Sequence, residues 1–410
     1  MSPPAAGNAD PHQGAPAAVA DGWPAWRRVA IGGGGGMFVG MGLGRFSYTA
    51  MVPALISSGE LTALQAGWVG TLNIAGFAFG ALVSVPLRSR LREYPALVTA
   101  VTLSVIGLLA SAAPFGFAWL GFWRCMVGIA TGVIMVLSLA LIAATAPATR
   151  RPVAASFVFA GVGLGILSAG TLVPLLLAIN LQAAWLGLAG CGLGAAVVAI
   201  WGWGAAPVHH ATPAVAHPAV GSAGGPASPW NTPLRLLLLS HLCFSMAIVP
   251  HTLYWVDYIA RGLGYGIGEG GFHWSLVGIA SILGPWIAAW LGLMLGTAWA
   301  LPISFFALGL GIAAPLFSSA TVVLLASSLL FGAQPGLSTL MAARTRDLAD
   351  ADHMPRLMRA MILCSALGAV TAGIVLPQIF EATHSHVLTF ALGGASMILG
   401  ALLVVPWNGR

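Results

Sequence analysis

The sequence contains no lysine: all sixteen basic side chains are arginine, and only ten carboxylates accompany them. Charged residues make up 6% of the 410-residue chain, where soluble domains carry about 25%. That scarcity excludes an ordinary globular protein. We read the missing lysine as the codon bias of a GC-rich, bacterial genome rather than as chemistry. Catalytic signatures are missing as well. No HExxH, GxSxG, Walker A or Rossmann pattern occurs in its required context. The glycine run at 32–36 precedes an apolar segment and has no P-loop lysine, so it is no phosphate cradle. An ATP-driven pump would need its ATPase on another chain, and an enzyme would need a nucleophile–base pair or metal cluster that is absent here. Cys125, Cys191, Cys243 and Cys364 sit in apolar runs without metal-type spacing, which predicts buried, inert thiols and no disulfide framework. No cofactor and no metal are implied.

What is present is apolar length. The chain is 58% hydrophobic with a mean hydropathy of +0.92, and 54 glycines supply the small surfaces that membrane helices use to approach one another. The composition predicts an all-α polytopic membrane protein. Twelve spans are expected, at 29–56, 65–87, 96–113, 117–145, 153–178 and 181–203 in the first half. The second six fall at 234–260, 273–295, 298–317, 321–343, 357–380 and 387–406. With the N-terminus inside, thirteen arginines fall on inner segments, only Arg261 on an outer loop, and Arg45 and Arg124 within spans. This positive-inside bias puts both termini in the cytoplasm of a bacterial inner (plasma) membrane protein. The basic pI therefore reflects loops beside a lipid bilayer, not nucleic-acid binding.

The domain expectation follows from the polar intervals. Residues 1–26 read as a disordered cytoplasmic tail, rich in Ala, Pro and Gly and without the apolar core of a signal peptide. Residues 27–203 form an N-terminal six-helix bundle and 234–410 a C-terminal one. Between them, 204–233 reads as a flexible cytoplasmic linker whose His209, His210 and His217 share no fixed geometry. Phe46-Ser-Tyr-Thr-Ala-Met-Val-Pro53 in the first span is echoed by Phe244-Ser-Met-Ala-Ile-Val-Pro250 in the seventh, as duplicated halves would place it.

Few polar side chains lie within the spans, so each one counts. A guanidinium in hydrocarbon costs about 3 kcal/mol on insertion scales, so Arg45 should face protein or a watery cavity. Tyr48 and Thr49, at i+3 and i+4, share its helical face. The three suit an anionic or hydrogen-bonding substrate, while a structural alternative pairs Arg45 with a carbonyl or carboxylate to lock packing. Gly40, Gly42 and Gly44 allow close approach or bending just before it. Asn73 reads equally as a pathway residue or as glue between helices. Arg124 precedes Gly128 and Gly132, which give its helix a smooth face, and it could instead snorkel to the interface. On the seventh span, His251, Tyr254, Asp257 and Arg261 form a stripe. Asp257 and Arg261 are expected to pair at the outer end; His251 would relay a proton, bind substrate or simply be hydrogen-bonded. Trp255 and Tyr258 are expected in the interfacial aromatic belt. Gln334 and Gln378 are further candidate cavity amides. No carboxylate falls at a span centre.

Six plus six spans, a central linker and internal termini resemble the major facilitator superfamily (MFS). Gly42-Leu-Gly-Arg-Phe-Ser-Tyr-Thr49, Ala66-Gly-Trp-Val-Gly-Thr-Leu-Asn-Ile-Ala-Gly76 and His251-Thr-Leu-Tyr-Trp-Val-Asp-Tyr-Ile-Ala-Arg-Gly-Leu-Gly264 are similar to its YbfB/YjiJ branch. Leu120, Arg124 and Gly128 resemble the fourth-span pattern in which the superfamily's arginine handles protons or substrate. Two features depart from it. The segment 84–92 keeps basic residues but lacks the usual Asp, and the matching turn near Gly296-Thr297 is uncharged. The fifth span lacks the Gly-Pro pair of many antiporters.

The resemblance implies an MFS fold of two pseudo-symmetric six-helix bundles and alternating access across the membrane. The expectation is therefore a secondary active transporter, not an enzyme, moving a small solute such as an organic anion. A co- or counter-transported ion such as H+ would accompany it, and the chain would act as a monomer. Efflux of hydrophobic compounds or drugs is the alternative, with a polytopic enzyme or sensor a more distant one. Substrate-binding candidates are Arg45, Tyr48, Asn73 and Arg124 in the first half, with His251 and Asp257 in the second.

Overall fold

The computed structural model describes residues 23–87, 92–206, 231–349 and 353–406. The N-terminal tail to residue 22, most of the linker (207–230), Arg88, Arg90 and Arg410 lie outside them. Among the described residues run twelve helical rods and no strand. We number them α1 (25–57), α2 (Ala63–Leu87), α3 (Glu93–Ala110), α4 (Gly116–Thr145), α5 (Arg151–Leu177) and α6 (Leu181–Trp203). The second six are α7 (Thr232–Gly262), α8 (266–295), α9 (297–313), α10 (Thr321–Leu348), α11 (Met354–Thr383) and α12 (His386–Val404). Ten described helices are long and apolar enough to cross a membrane. One of these is continuous from α8 through α9 and changes course at Gly296, whose φ of 70° and ψ of 157° suit only glycine. The remaining rod, α1, is interrupted by a π-helical stretch.

Each rod is apolar almost all round, as expected where one face meets lipid and the other meets protein. Glycine decides which faces can pack tightly. On α2 and α4 the backbones are so close that a Cβ at Gly80 would lie 2.1 Å from the carbonyl oxygen of Ile129, and one at Gly128 2.2 Å from that of Asn73. Gly76 and Gly132 extend the same seam, so the smooth face expected beside Arg124 is the α2–α4 contact. The start of α1 closes on the end of α6, where Arg28 donates to the Trp201 carbonyl and lies over its ring.

The two bundles, α1–α6 and α7–α12, meet along three seams. Gly163 and Gly170 of α5 bring that rod against Gly278, Gly271 and Ser275 of α8. Gly67 of α2 packs on Pro377 of α11, and the Thr71 hydroxyl donates to the Gly373 carbonyl. The second halves of α1 and α7 also pack together, joined by a hydrogen bond from the Thr49 hydroxyl to the Thr252 carbonyl. Among the described residues no comparable packing joins α4 to α10.

Two expectations change. Trp255 and Tyr258 are not at a lipid interface: Trp255 is fully buried, its indole N–H donating to Ser328, because α7 turns this face toward α8, α10 and α12. Of the four thiols only Cys243 is buried, and Cys191 is exposed on the outer face of α6.

Candidate functional site

The site begins with a break in helical regularity. From Phe38 to Phe46, α1 widens into a π-helix, a distortion that often marks functional positions. Gly40, Gly42 and Gly44 permit it. Gly42 abuts Gly165 of α5, while Gly40 and Gly44 lie against Thr131 and Val127 of α4. Several carbonyls of the stretch are met by side chains of neighbouring rods. Thr131 donates to Gly40 (2.8 Å), Arg124 to Gly44 (2.9 Å) and the Trp274 indole to Phe46 (3.0 Å). The bulge is thus clamped from α4 and from α8.

Arg124 is one of these clamps. It is fully buried; one guanidinium nitrogen reaches the Gly44 carbonyl and the other the Ser111 hydroxyl of the α3–α4 turn, at 3.1 Å. Ser111 gives its own proton to Gly107, so it can only accept from Arg124. The Trp185 ring lies 5.1 Å from the guanidinium. Directly behind, the Asn73 amide N–H donates to the Arg124 carbonyl at 2.8 Å.

Arg45, the last residue but one of the π-helix, is held differently. It is 8% exposed and has no hydrogen bond or ion pair with any described residue. Its Nε is buried without a partner, as is that of Arg124, but Arg124 is bonded through both terminal nitrogens and Arg45 through neither. What surrounds it is aromatic: the Phe46 and Phe77 rings stand 5.5 and 5.2 Å from the guanidinium. Together with Tyr48, Thr49, Gly70, Asn73, Ile74, Thr252 and Leu253, it lines a crevice between α1, α2 and α7. The enclosed space is about 10 Å³, room for roughly one water molecule. The two bundles are nearly shut at this level.

The shared face expected for Arg45, Tyr48 and Thr49 is the wall of this crevice, and Asn73 joins them from α2. The Tyr48 hydroxyl is held by the Ala66 carbonyl at 2.9 Å. Arg124 is adjacent but does not line the crevice. His251 is one residue away from it and turns into the C-terminal bundle, stacked on Trp255 at 4.5 Å and flanked by Phe331 and Phe390. Its Nε2 lies 3.0 Å from the Ser327 hydroxyl, whose proton goes to the Gly311 carbonyl, so Nε2 is the donor. Asp257 is likewise outside the crevice. It accepts two bonds from Arg261, as the i,i+4 spacing predicts, and a third from His386 Nε2 at 2.8 Å. Gln334 is buried away from the crevice, and Gln378 is exposed with its amide on its own helix.

The substrate-binding candidates did not include Thr252, Gly70 or His386. Thr252 and Gly70 carry no charge signal; the echo of Phe46–Pro53 by Phe244–Pro250 ends just before Thr252 and hints that α1 and α7 are counterparts. His386 lies 129 residues from its partner, and nothing local announces it.

Comparison with known proteins bears on this geometry. Two curated relatives match over part of their length. A 3-(3-hydroxy-phenyl)propionate transporter of Escherichia coli (strain K12) is 33% identical over 112 residues, 27% of this chain and 28% of that protein. A putative metabolite transport protein of Haemophilus influenzae is 30% identical over 145 residues, 35% of this chain and 36% of that one. The match thus spans about a third of those relatives or less. Among solved structures, the inward-open xylose transporter XylE from E. coli superposes with a TM-score of 0.73, covering 94% of this chain and 96% of that one at 14% identity. A mutant of the peptide transporter POT in complex with sulfate gives 0.70, covering 92% and 93% at 16% identity. These likenesses establish the fold. The family model described as "Uncharacterised MFS-type transporter YbfB" matches residues 37–405, which takes in every rod but the first turns of α1. The chain therefore belongs to the YbfB family of major-facilitator-type transporters, multi-pass membrane proteins built from two six-helix bundles.

Proposed function

We propose that this chain is a secondary active transporter of the bacterial inner membrane that moves a small organic anion by alternating access, with both termini cytoplasmic. The observation that carries this reading is Arg45, a buried cation in the crevice between the bundles with no protein partner among the described residues. Burying a charge without an ionic partner costs free energy that the Phe46 and Phe77 rings offset only in part, and such a residue persists where a ligand supplies the missing partner. The crevice lining includes no carboxylate, so a cationic solute would find nothing to neutralise it. The matched E. coli relative is named for a carboxylic acid, which agrees with this choice.

The bundle of residues 27–203 would rock against that of 234–410 about the crevice, with the α1–α7 seam opening as the opposite end closes. Packing of α1 on α7, without its counterpart between α4 and α10, corresponds to a conformation shut on the outer side. Arg45, Tyr48 and Asn73 would touch the solute. Arg124 would act behind them, holding the π-helix that presents Arg45, while His251 and Asp257 would shape α7. Proton coupling would give the uphill step its energy.

Purified protein in proteoliposomes would be screened for flux of organic anions, cations and neutral lipophiles, with and without a proton gradient. Saturable movement of anions is the expected result. Movement confined to cations or to diverse lipophiles would refute the proposal, and the lipophile outcome would establish an exporter.

A further inference from the structure

The hydrogen-bonding inventory of the crevice narrows the substrate class. Of the polar groups lining it, most are already engaged. The Tyr48 hydroxyl donates to Ala66, the Thr49 hydroxyl to Thr252 and the Thr252 hydroxyl to Ile248. The Asn73 amide N–H is held by the Arg124 carbonyl. Two groups are left over: the Arg45 guanidinium, whose Nε has no partner, and the side-chain carbonyl oxygen of Asn73, which is buried and has none either. Arg45 is 8% exposed and Asn73 3%. Buried polar atoms without partners are uncommon, and two on residues that line one crevice call for an explanation.

One is a cationic donor and the other a neutral acceptor. A plain carboxylate meets the first and sets its own lone pairs against the second. A ligand ammonium would satisfy Asn73, but it would sit beside Arg45 with no acid in the lining to balance it. A hydroxyl is the group that donates to Asn73 without adding positive charge. We infer that the substrate is a hydroxylated carboxylate, its carboxylate on Arg45 and its hydroxyl donating to the Asn73 carbonyl oxygen. This rests on the organic-anion reading and specifies the second contact of the same site.

The test uses full-length protein in detergent and in proteoliposomes, probed with matched pairs: lactate and propionate, malate and succinate, mandelate and phenylacetate, phenyllactate and phenylpropionate. Binding is read by the shift in thermal midpoint and transport by competition. In at least one pair the hydroxylated member should be preferred by roughly ten- to a hundredfold, since a buried acceptor left unpaired penalises the analogue that lacks the donor. Asn73→Leu should flatten that preference while retaining carboxylate binding, and Asn73→Gln, which keeps an amide, should retain part of it. The preference in wild-type protein is decisive even where Asn73→Leu fails to fold. Equal recognition within every pair would overturn the inference and leave the organic-anion reading standing. Failure of every carboxylate to bind or compete would overturn both.

Discussion

Arg45 and Arg124 are the same residue type, in the same bundle, both all but removed from solvent, and they are held in opposite ways. Arg124 is woven into the protein: two hydrogen bonds, an indole face and an amide on its own carbonyl. Arg45 has ring faces and a nearly closed crevice. Two of the three guanidinium nitrogens of Arg124 are bonded within the protein and none of those of Arg45 is, which is why we propose Arg45, and not Arg124, as the ligand's contact. Arg124 builds the π-helix and Arg45 is displayed by it.

Substitutions should separate the two along a scale of stability. Arg124→Leu should cost most, about 3 kcal/mol, because it strands the Gly44 carbonyl of the π-helix and removes the Ser111 contact. The thermal midpoint of the purified protein would show it as a large drop, with loss of the folded peak on size exclusion. Gly128→Val should follow at about 2 kcal/mol, since its Cβ would press on the Asn73 carbonyl and force α2 from α4; the same melt reads it. Thr49→Val removes one bond between the bundles, worth about 1 kcal/mol. That should leave the midpoint almost unchanged but favour opening of the α1–α7 seam about fivefold. Labelling of a cysteine introduced at Leu253 by a membrane-impermeant reagent would report the opening. Arg45→Gln should have the smallest effect on stability, within about 0.5 kcal/mol or slightly stabilising, as relief of an unpaired buried charge would be. A midpoint loss for Arg45→Gln equal to that of Arg124→Leu would erase the distinction.

Much of this comparison was legible before the fold. The apolar segmentation gave the rods, and α8 meets α9 at Gly296, where a two-residue turn was expected. The i+3 and i+4 partners of Arg45 are the crevice wall because helical geometry is local. The glycines after Arg124 mark the α2–α4 seam for the same reason, and Asp257 finds Arg261 one turn on. What could not be read was anything set by distant chain. That Gly44 takes Arg124 and leaves Arg45 free depends on how α4 docks, 80 residues away. Trp255 looked like an interfacial aromatic because burial inside a bundle and burial in a headgroup layer leave the same mark on sequence. His386 closes on Asp257 only once α12 returns beside α7.

The central claim is that Arg45 is the substrate's cation. Its most direct test is uptake of a carboxylate into proteoliposomes holding equal amounts of folded wild-type protein and Arg45→Gln. Removing one member of a buried charged contact costs about 2–5 kcal/mol, which predicts a fall of at least thirtyfold in apparent affinity with an unchanged thermal midpoint. Undiminished uptake by the folded glutamine variant would contradict the account.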